Sequence, residues 1–560
     1  MAFPVNGERL AAFWRRLSAV APFREVDLAA LLLFLALLLP FVLSYHRNPI
    51  PSFYQEWVAI FLAVTASILV AAKYRGEPFA LPFSAWIPLT LLPAVTFHLI
   101  AGNDQIVHGP PLLLIYIGSA VLLMIVGRKL GSAWQAVSLA DVMAAALVTG
   151  ALAAAVASWH WRYETAILEP LPWGPAAGWI AQRNQNALHI WLGVLGLSHF
   201  FLNRKISWML FLVGLAILAE TASFTGSRSV YLYATGGLLL GLWAAAKTAP
   251  REVRVRLLLI AICPVMWLGI LQATHALTDR DSGGDPPVTT DAIPRYAPAT
   301  VMQDPRTGLW FTAAQIMLAK PWAGSGPGSF IRDSWLLSDG LPETIPTTIP
   351  ATHAHNLFFQ IGAELGAPTA LILAGLISIW LAIALRQTNW VKTWLLVAIP
   401  AVILTHNQVE YSLWYLYFLV PGALAMGAAI ERDGATRLPA SGVLVTALLA
   451  LALAAQLGQD YKTVEAVVAN ARSGRGEIAP LLAAAAHPVF GAWASTEIAG
   501  NAWATGISRQ EQGAHARRAL FVSPVNKAAL LLHLETLNAD GMRAEATTEK
   551  RILERVFGSN

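Results

Sequence analysis

Apolar segments long enough to cross a membrane recur along this chain of 560 residues. Thirteen of them lie near residues 28–45, 54–72, 85–101, 112–127, 137–158, 186–203, 206–224, 229–246, 256–274, 357–385, 391–409, 412–430 and 441–456. In lipid, every backbone amide must bond within the protein, so such segments fold as helices. Because 56% of the residues are hydrophobic and only 13% are charged, the sequence predicts an all-α polytopic membrane protein with about 13 transmembrane helices.

Basic residues indicate which way these helices run, because Lys and Arg concentrate on the cytoplasmic side of membrane proteins. When residues 1–27 are placed in the cytoplasm, the inner segments hold eighteen Lys and Arg. The short outer segments hold only Arg47, Arg162, Arg183 and Arg228. The first apolar run is too long for a secretory signal and lacks a small-residue cleavage site, so we expect an uncleaved first span.

Two predicted outer segments are too long to be simple connections. The predicted division is residues 1–27 as a cytoplasmic segment, 28–274 with helices one to nine, 275–356 as a periplasmic catalytic loop, 357–456 with helices ten to thirteen, and 457–560 as a soluble helical periplasmic domain. A loop of about eighty residues is far longer than an ordinary connection and is usually functional.

Local signals predict helices within both long segments. In the loop, Asp304 at an N-cap and the proline after it predict a helix from Arg306 to Lys320. The C-terminal segment is rich in Ala, Leu, Glu and Arg at helical spacing, as in Lys527–Leu537 and Ala544–Val556. We expect a small all-helical domain similar to paired tetratricopeptide helices, although one pair does not define a repeat array.

Polar residues collect on the predicted outer face. The candidates there are Arg162, Gln182, Arg183, Asn184, Arg228, Arg306, His353, His355, His406 and Glu410. Arginine on this face opposes the usual charge bias, and bidentate recognition of phosphate is a physical reason for it. A cation at the start of a helix opposes the helix dipole, so Arg306 favours an anionic partner. Snorkelling of Arg228 to the interface and neutralisation of an arginine by Glu410 are the structural alternatives.

His355 stands where the long loop meets the tenth apolar segment. A histidine at the aqueous end of a membrane helix can titrate near neutral pH while facing a lipid-borne substrate. Taken alone, a histidine at the membrane edge is more often a structural residue. His353, two residues away in extended chain, would face elsewhere.

Patterns for metals, nucleotides and disulfides are weak. The single cysteine, Cys263, cannot form a disulfide within the chain or a thiolate metal site. No His-x-x-x-His pair accompanies the outer histidines. Gly324-x-Gly326-x-Gly328 lacks the preceding strand of a dinucleotide site. We therefore expect no metal and no cofactor.

His355-Asn356 is followed, after nine residues, by Gly366-Ala367-Pro368-Thr369. This pattern resembles the signature of the O-antigen ligase superfamily, which reads His, then Asn, Ser or Gln, nine residues, Gly, two residues, and Gly, Thr or Tyr. Thr225-Gly226-Ser227-Arg228 resembles the Ser-Arg turn of that family. Arg306 with Trp310 resembles its second arginine segment.

Two further segments resemble one branch of this WaaL/Wzy superfamily, the bacterial O-oligosaccharyltransferases of PglL/PilO type. Glu410-Tyr411-Ser412-Leu413-Trp414 opens a segment that is similar to one in that branch. Gln182-Arg183-Asn184-Gln185 resembles its Gln-Pro-Asn-His segment. Ser412 and Arg183 stand where the branch usually has proline.

The resemblance implies a GT-C-like glycosyltransferase of the bacterial inner membrane with its active site facing the periplasm. Such an enzyme would transfer a glycan en bloc from undecaprenyl diphosphate to Ser or Thr of periplasmic or pilin-like proteins. The implied transfer is inverting and independent of metal. The implied partners are the lipid-linked glycan donor, the acceptor protein and membrane lipids, with no nucleic acid.

The resemblance also implies roles for individual residues. His355 would act as general base, while Arg228 and Arg306 would stabilise the diphosphate. The residues that would bind substrate or shape the site are Arg162, Gln182, Arg183, Asn184, His353, Asn356, Glu410 and Tyr411.

Other functions stay open at this point. An O-antigen ligase acting on lipid A–core, or an O-antigen polymerase, would keep the chemistry and change the acceptor. A non-catalytic transporter or flippase belongs to a different class. Transporters place polar residues near the membrane midplane on broken helices related by internal repeats. Here the polar residues lie at the predicted outer edge, and the sequence has no evident repeat.

Overall fold

A computed structural model describes residues 27–101, 109–134, 138–162, 176–281, 305–338, 351–430, 436–500 and 506–557. About 78% of these residues are helical. The strands β1 (Phe79–Ala80) and β2 (Arg437–Leu438) pair antiparallel, with Phe79 opposite Leu438. The helical content and the apolar helices described below are those of an all-α polytopic membrane protein, as the sequence predicts.

Helices form at each of the nine apolar segments predicted before residue 275. They are α1 (Leu28–Val42), α2 (Phe53–Lys73), α3 (Trp86–Leu89), α4 (Leu92–Ala101), α5 (Gly109–Ala133), α6 (Leu139–Arg162), α7 (Arg183–Leu202), α8 (Trp208–Phe224), α9 (Ser229–Lys247) and α10 (Arg251–Asp281). The third segment is divided between α3 and α4. Helix α10 continues past the predicted boundary at residue 274.

The second half of the chain adds helices of the long loop and the remaining apolar segments. They are α11 (Pro305–Ala319), α12 (Phe330–Leu337), α13 (Leu357–Leu365), α14 (Ala367–Ala384), α15 (Trp390–His406), α16 (Leu416–Ala428) and α17 (Ala440–Arg472). Helix α11 matches the helix predicted from Arg306 to within a residue at each end. Its predicted N-cap, Asp304, lies outside the described residues.

One predicted span is wrong, because residues 357–385 do not form a single helix. Gly366 adopts φ 88° and ψ 157° and separates α13 from α14. A Cβ atom at this position would lie 2.3 Å from the carbonyl oxygen of Trp322. Only glycine permits both this conformation and this close approach. The nine residues of α13 are too few to cross a membrane, which leaves α14 as the candidate span.

Eight of the described segments are helical, long and apolar enough to cross a membrane. They are Phe53–Lys73, Phe83–Ala101, Gly109–Ala133, Leu139–His160, Ser229–Lys247, Arg251–Thr274, Ala367–Ala384 and Ala440–Arg472. The helices α1, α8, α15 and α16 are apolar but shorter. Helix α7 is almost entirely buried among its neighbours. The count of about thirteen transmembrane helices therefore stays a prediction.

Contacts between helix termini distinguish the two ends of the bundle. At the basic end, which contains Lys205 and the β1–β2 pair, Lys205 forms an ion pair with Asp141 at 2.6 Å. At the opposite end, which we call the site end, the hydroxyl of Tyr116 donates to the carbonyl oxygen of Trp414 at 2.7 Å. Each contact joins segments that the basic-residue bias puts on the same side of the membrane. If consecutive helices run in opposite directions through the membrane, the helix ends joined by such contacts must lie on the same side.

Glycines allow α5 and α16 to approach very closely. A Cβ atom on Gly127 would lie 2.3 Å from the carbonyl oxygen of Leu424, and one on Gly427 would lie 2.0 Å from that of Met124. Small residues at crossings of membrane helices permit such backbone contact. This crossing fixes α16 and, through it, the turn that connects α15 to α16.

The described C-terminal residues form a group of helices, which we call the C-terminal domain, while the predicted division of the chain into domains stays a prediction. Its helices are α18 (Ile478–Ala485), α19 (Gly491–Gly500), α20 (Arg509–Ala519), α21 (Lys527–Ala539) and α22 (Arg543–Phe557). Helix α21 contains the whole predicted segment Lys527–Leu537, and helix α22 contains the whole predicted segment Ala544–Val556. Helix α17 runs without interruption past residue 456, so the predicted domain boundary falls within one helix.

Helix α12 of the long loop joins the C-terminal domain to the rest of the protein. Trp335 is fully buried in the core of that domain, among residues that include Leu520 and Ile552. Phe330, at the other end of α12, packs in a second core with Ala363 of α13. The two ends of this short helix therefore belong to two different hydrophobic cores.

The glycine crossing gives a test of the fold. Gly427→Leu should lower the free energy of unfolding by about 1–3 kcal/mol or more, because the new side chain meets the backbone of α5. Gly375→Leu is the matched control, since no atom lies within 4 Å of a Cβ at that position. The measurement is thermal unfolding of the purified proteins in detergent. Equal unfolding temperatures for the two variants would contradict the crossing.

Candidate functional site

The turn between α15 and α16 is organised by Asn407, which is fully buried. Its side-chain amide donates to the hydroxyl of Ser412 at 2.7 Å, and its side-chain oxygen accepts from the backbone of Leu413 at 3.0 Å. Buried polar groups need such partners. Ser412, which replaces the proline of the branch that this chain resembles, therefore serves as a hydrogen-bond acceptor within the turn.

Glu410 lies in this turn and is the centre of the site. Only 3% of its surface is exposed. One carboxylate oxygen, Oε1, accepts from the side-chain amide of Asn184 at 2.6 Å and forms an ion pair with Arg306. Asn184 comes from the first turn of α7, and Arg306 comes from the first turn of α11. The carboxylate thus connects three segments that are far apart in sequence.

His355 contacts the same carboxylate from the loop side. Its Nε2 atom lies 3.7 Å from Oε2 of Glu410, and its Nδ1 atom lies 3.0 Å from the carbonyl oxygen of His353. A carbonyl oxygen only accepts, so Nδ1 carries the hydrogen when the ring is neutral. Nε2 then has the lone pair and faces the site. This tautomer suits a general base that becomes an imidazolium beside a carboxylate.

Asn356 has a structural task beside this histidine. Its side-chain oxygen accepts from the backbone amides of Phe358 and Phe359, which makes it the N-cap of α13. Its amide nitrogen donates to the carbonyl oxygen of Gln408 at 3.2 Å. These contacts account for asparagine at this position without a substrate, and its part in substrate binding stays a prediction.

Aromatic rings form one wall of the site. His353 stacks on Tyr411, with ring centroids 4.3 Å apart, and the ring of His355 meets Tyr411 edge-on at 5.0 Å. Burial in this wall and the nearby His355 hold the pKa of His353 below its usual value. A neutral His353 that is engaged in stacking favours His355 as the base. Burial and then the charge of Glu410 raise the pKa of Tyr411, so its hydroxyl stays protonated.

The second predicted arginine, Arg228, is exposed at the N-terminus of α9. It follows Gly226, whose φ of 61° turns the chain between α8 and α9. Five residues further, a rise of roughly 7–8 Å along a helix, the hydroxyl of Tyr233 contacts Nδ1 of His406. His406 is one turn before Glu410 and within electrostatic reach of Arg306 and His355. Arg228 therefore lies at the site end of the bundle.

The other predicted residues near Arg183 differ in their positions and contacts. The side chain of Gln182 caps α7 by accepting from the backbone of Gln185 at 2.6 Å. Arg183 is exposed in the first turn of α7, directly before Asn184. Arg162 is the last residue of α6, and its side chain lies outside the described residues.

Two residues of the site end were missed by the sequence analysis. Gln360 and Glu364 are buried on α13, within a segment predicted to be a purely apolar span. Their four-residue spacing, which puts both on one face of a helix, was the available signal. In the described part of the chain, no three His, Cys, Asp or Glu side chains are placed to hold a metal ion together.

Comparison with protein families gives matches to two parts of the chain. Residues 213–374 match a family described as O-antigen ligase, and residues 394–551 match one described as virulence factor membrane-bound polymerase, C-terminal. Over these residues the chain is similar to the O-antigen ligase family and to the membrane-bound polymerase family. The O-antigen ligase match contains Arg228, Arg306 and His355, and the polymerase match contains Glu410 and most of the C-terminal domain. Comparison with curated proteins gives no match.

The ion pair at the centre of the site can be tested by stability. Glu410→Gln should lower the free energy of unfolding by about 1–3 kcal/mol, less than the ~3–5 kcal/mol of a fully buried pair, because Arg306 is 23% exposed. Combined with Arg306→Met, the loss should be smaller than the sum of the two single losses. The measurement is unfolding in detergent for all four proteins of the cycle. Strict additivity would show that the two side chains do not interact.

Proposed function

We propose that this protein transfers a glycan from undecaprenyl diphosphate to a hydroxyl acceptor at the periplasmic face of the bacterial inner membrane. The observation that carries the proposal is the meeting of His355 and Arg306 on the carboxylate of Glu410. This arrangement places a proton acceptor, His355, and a cation that can bind an anionic leaving group, Arg306, at the same end of the bundle. Similarity to the O-antigen ligase and membrane-bound polymerase families supports a lipid-linked glycan donor.

In the proposed reaction, the bond between the anomeric carbon and the diphosphate oxygen breaks, and its electron pair stays on that oxygen. Arg228 and Arg306 stabilise the negative charge that develops there. Cations that are already in place contribute several kcal/mol to such stabilisation, because they need no reorganisation during the reaction. Glu410 and Asn184 hold Arg306 in position through the hydrogen bonds described above.

The acceptor hydroxyl gives its proton to Nε2 of His355 as its oxygen bonds to the anomeric carbon. Attack from the face opposite the diphosphate inverts that carbon. The imidazolium that forms is stabilised by Oε2 of Glu410, 3.7 Å away. General base catalysis of this kind contributes roughly 10²–10⁴ in rate. The proton then passes to the released diphosphate or to solvent, and the scheme uses no metal.

We propose Ser or Thr of a periplasmic or pilin-like protein as the acceptor. The resemblance of the segment from Glu410 to Leu419 to the protein-glycosylating branch supports this choice. The C-terminal helical domain supports it as well, because paired helices offer extended surfaces for binding other proteins. Helix α12 attaches that domain close to the site.

Transfer to a glycan or to lipid A–core is the second candidate function. Both family descriptions, O-antigen ligase and membrane-bound polymerase, favour it. It would use the same base and the same arginines. Transport without catalysis is the remaining alternative, and the helix broken at Gly366 is a feature that transporters share.

One experiment distinguishes these functions. The purified protein, in proteoliposomes with a radiolabelled lipid-linked glycan, is offered a pilin-like protein, lipid A–core or a second lipid-linked glycan. Label on the protein supports the proposed function, while label on either other acceptor supports the second candidate. Movement of the intact donor across the bilayer, with no label transferred to any acceptor, would overturn a catalytic function.

The base has its own test. His355→Ala should leave the protein folded and able to bind the lipid-linked donor, but should lower transfer by about 10²–10⁴. Donor binding is measured separately from transfer, by retention of labelled donor on the immobilised protein. Transfer close to that of the wild type would show that His355 is not the base.

Arg228 is tested by a conservative change. Arg228→Lys should lower kcat/KM for the donor at least tenfold, equivalent to about 1.4 kcal/mol, because an ammonium cannot form the bidentate contact of a guanidinium. Arg251→Lys is the matched control, since Arg251 is exposed at the start of α10, at the basic end. If both variants keep wild-type kinetics, Arg228 only anchors its helix.

A further inference from the structure

Two buried polar side chains on α13 have no part in the proposed chemistry. Gln360 is 2% exposed and Glu364 is 5% exposed. Four residues apart, they lie on one face of this nine-residue helix. Burying a carboxylate is unfavourable unless hydrogen bonds compensate for the water it loses. Their contacts show where that compensation comes from.

Glu364 receives hydrogen bonds from two directions. Its Oε1 atom accepts from the backbone amide of Phe330 at 3.3 Å and from the side-chain amide of Gln360 at 2.9 Å. The backbone of Gly328 donates to the same carboxyl group. Phe330 is the first residue of α12, so the carboxylate lies at the N-terminus of that helix, where the helix dipole favours negative charge.

Gln360 extends this chain of hydrogen bonds to the residue before His355. Its side-chain oxygen accepts from the backbone amide of Ala354 at 2.7 Å. The orientation of its amide is determined by its partners, because the carboxylate of Glu364 accepts and the amide of Ala354 donates. A continuous buried chain therefore runs from Glu364 through Gln360 to the backbone beside the proposed base.

The backbone at His355 needs such support. Its φ of 53° lies in the left-handed region, which disfavours residues with a side chain by roughly 1–2 kcal/mol. Residues keep such a conformation only where the surrounding structure imposes it. The hydrogen bond to Ala354 fixes the peptide on one side of His355, and the N-cap at Asn356 fixes the other.

The glycine turn before α12 binds the C-terminal end of α13. The backbone amides of Ser325 and Gly326 donate to the carbonyl oxygens of Ala363 and Glu364 at 3.0 Å and 2.8 Å. A Cβ atom on Gly324 would lie 2.3 Å from the backbone of Glu364. This turn leaves α13 little freedom to rotate or slide. The hydrogen-bond chain therefore starts from a helix that is held in place.

We propose that Glu364 and Gln360 are positioning residues that hold His355 in place for proton transfer. The proposal rests on the proposed function, because it concerns the base of that reaction. Neither residue touches the reacting atoms in this scheme. They act through the backbone at Ala354. Both residues lie within the signature that begins at His355, at positions that the signature leaves open.

The charge of Glu364 gives the chain a dependence on pH. Burial raises the pKa of Glu364 to about 7, against the hydrogen bonds from Gly328, Phe330 and Gln360, which lower it. The charged neighbour that adds to this increase is Asp333 of α12, which itself faces Lys320 and Arg332. When pH falls through about 7, one acceptor oxygen becomes a hydroxyl, and a donor then opposes the backbone amides.

The test compares Glu364→Ala, Glu364→Gln and the control Ser378→Ala in the full-length protein in proteoliposomes. Within the described residues, the hydroxyl of Ser378 donates to the carbonyl oxygen of Ala374 in its own helix and to no other group, so its loss should change nothing. Glu364→Ala should lower kcat at least tenfold, with KM for the donor within threefold of wild type. Glu364→Gln keeps the Oε1 acceptor but, like the protonated acid, turns a donor toward the backbone amides, so its kcat should lie between those of the wild type and Glu364→Ala. Wild-type kcat in Glu364→Ala overturns the proposal, as does an equal loss in donor binding.

The pH profile decides the matter if Glu364→Ala fails to fold. In the wild type, kcat should fall as the pH decreases through about 7, because protonation of Glu364 weakens the hydrogen bonds that support the backbone beside His355. In Glu364→Gln the acid limb of the profile should be less steep than in the wild type, because an amide does not titrate in this range. Identical acid limbs in the two proteins would overturn the proposal.

A readout without transfer separates this proposal from the proposed function. Diethyl pyrocarbonate modifies accessible neutral histidines, and mass spectrometry reports the rate at each site. Glu364→Gln should change the pH dependence of modification at His355 but not at His487 of the C-terminal domain. An unchanged profile at His355 overturns the positioning role. If the profile changes while wild-type protein transfers no glycan, only the proposed function fails.

Discussion

The ion pair between Glu410 and Arg306 holds together segments that are more than a hundred residues apart. A charge as buried as that of Glu410 is destabilising by several kcal/mol unless it is paired and hydrogen-bonded. Arg306 and Asn184 supply that compensation only when α7, α11 and the turn after α15 are in register. The site therefore forms only when these helices are packed correctly. The close crossing of α5 and α16 at Gly427 supports the same turn from α16.

The spacing of the signature has a structural reason. The nine residues between Asn356 and Gly366 are the length of α13, a helix that begins at the cap formed by Asn356 and ends at Gly366. His355 stands directly before the cap, so the helix carries it at one end. Gly366 then turns the chain into the apolar helix α14, beside the backbone of Trp322. A longer or shorter helix would move His355 relative to Glu410.

The C-terminal domain is part of the framework around the site rather than an appendage. Trp335 of α12 lies in the core of that domain, while Phe330 of the same helix lies in the core formed with α11 and α13. The carboxylate of Glu364 meets the first turn of α12 from the side of His355. An acceptor that binds to the C-terminal domain would therefore be close to elements that position the proposed base. The polymerase family match likewise runs from α16 through α17 into most of this domain.

The sequence by itself determined the all-α class, the positions of the apolar helices and the loop helix that begins near Arg306, because hydrophobic runs and caps act locally. It also indicated His355, Arg306 and Glu410, because polar residues at the edge of apolar segments stand out. Only the tertiary structure decided that Gly366 breaks a predicted span, since the close approach of Trp322 is invisible in sequence. The contacts of Glu410 with Asn184, and of Glu364 with Phe330, likewise depend on which helices pack together. Hydrophobicity fixes where helices form, whereas the pairing of buried charges depends on how those helices are arranged.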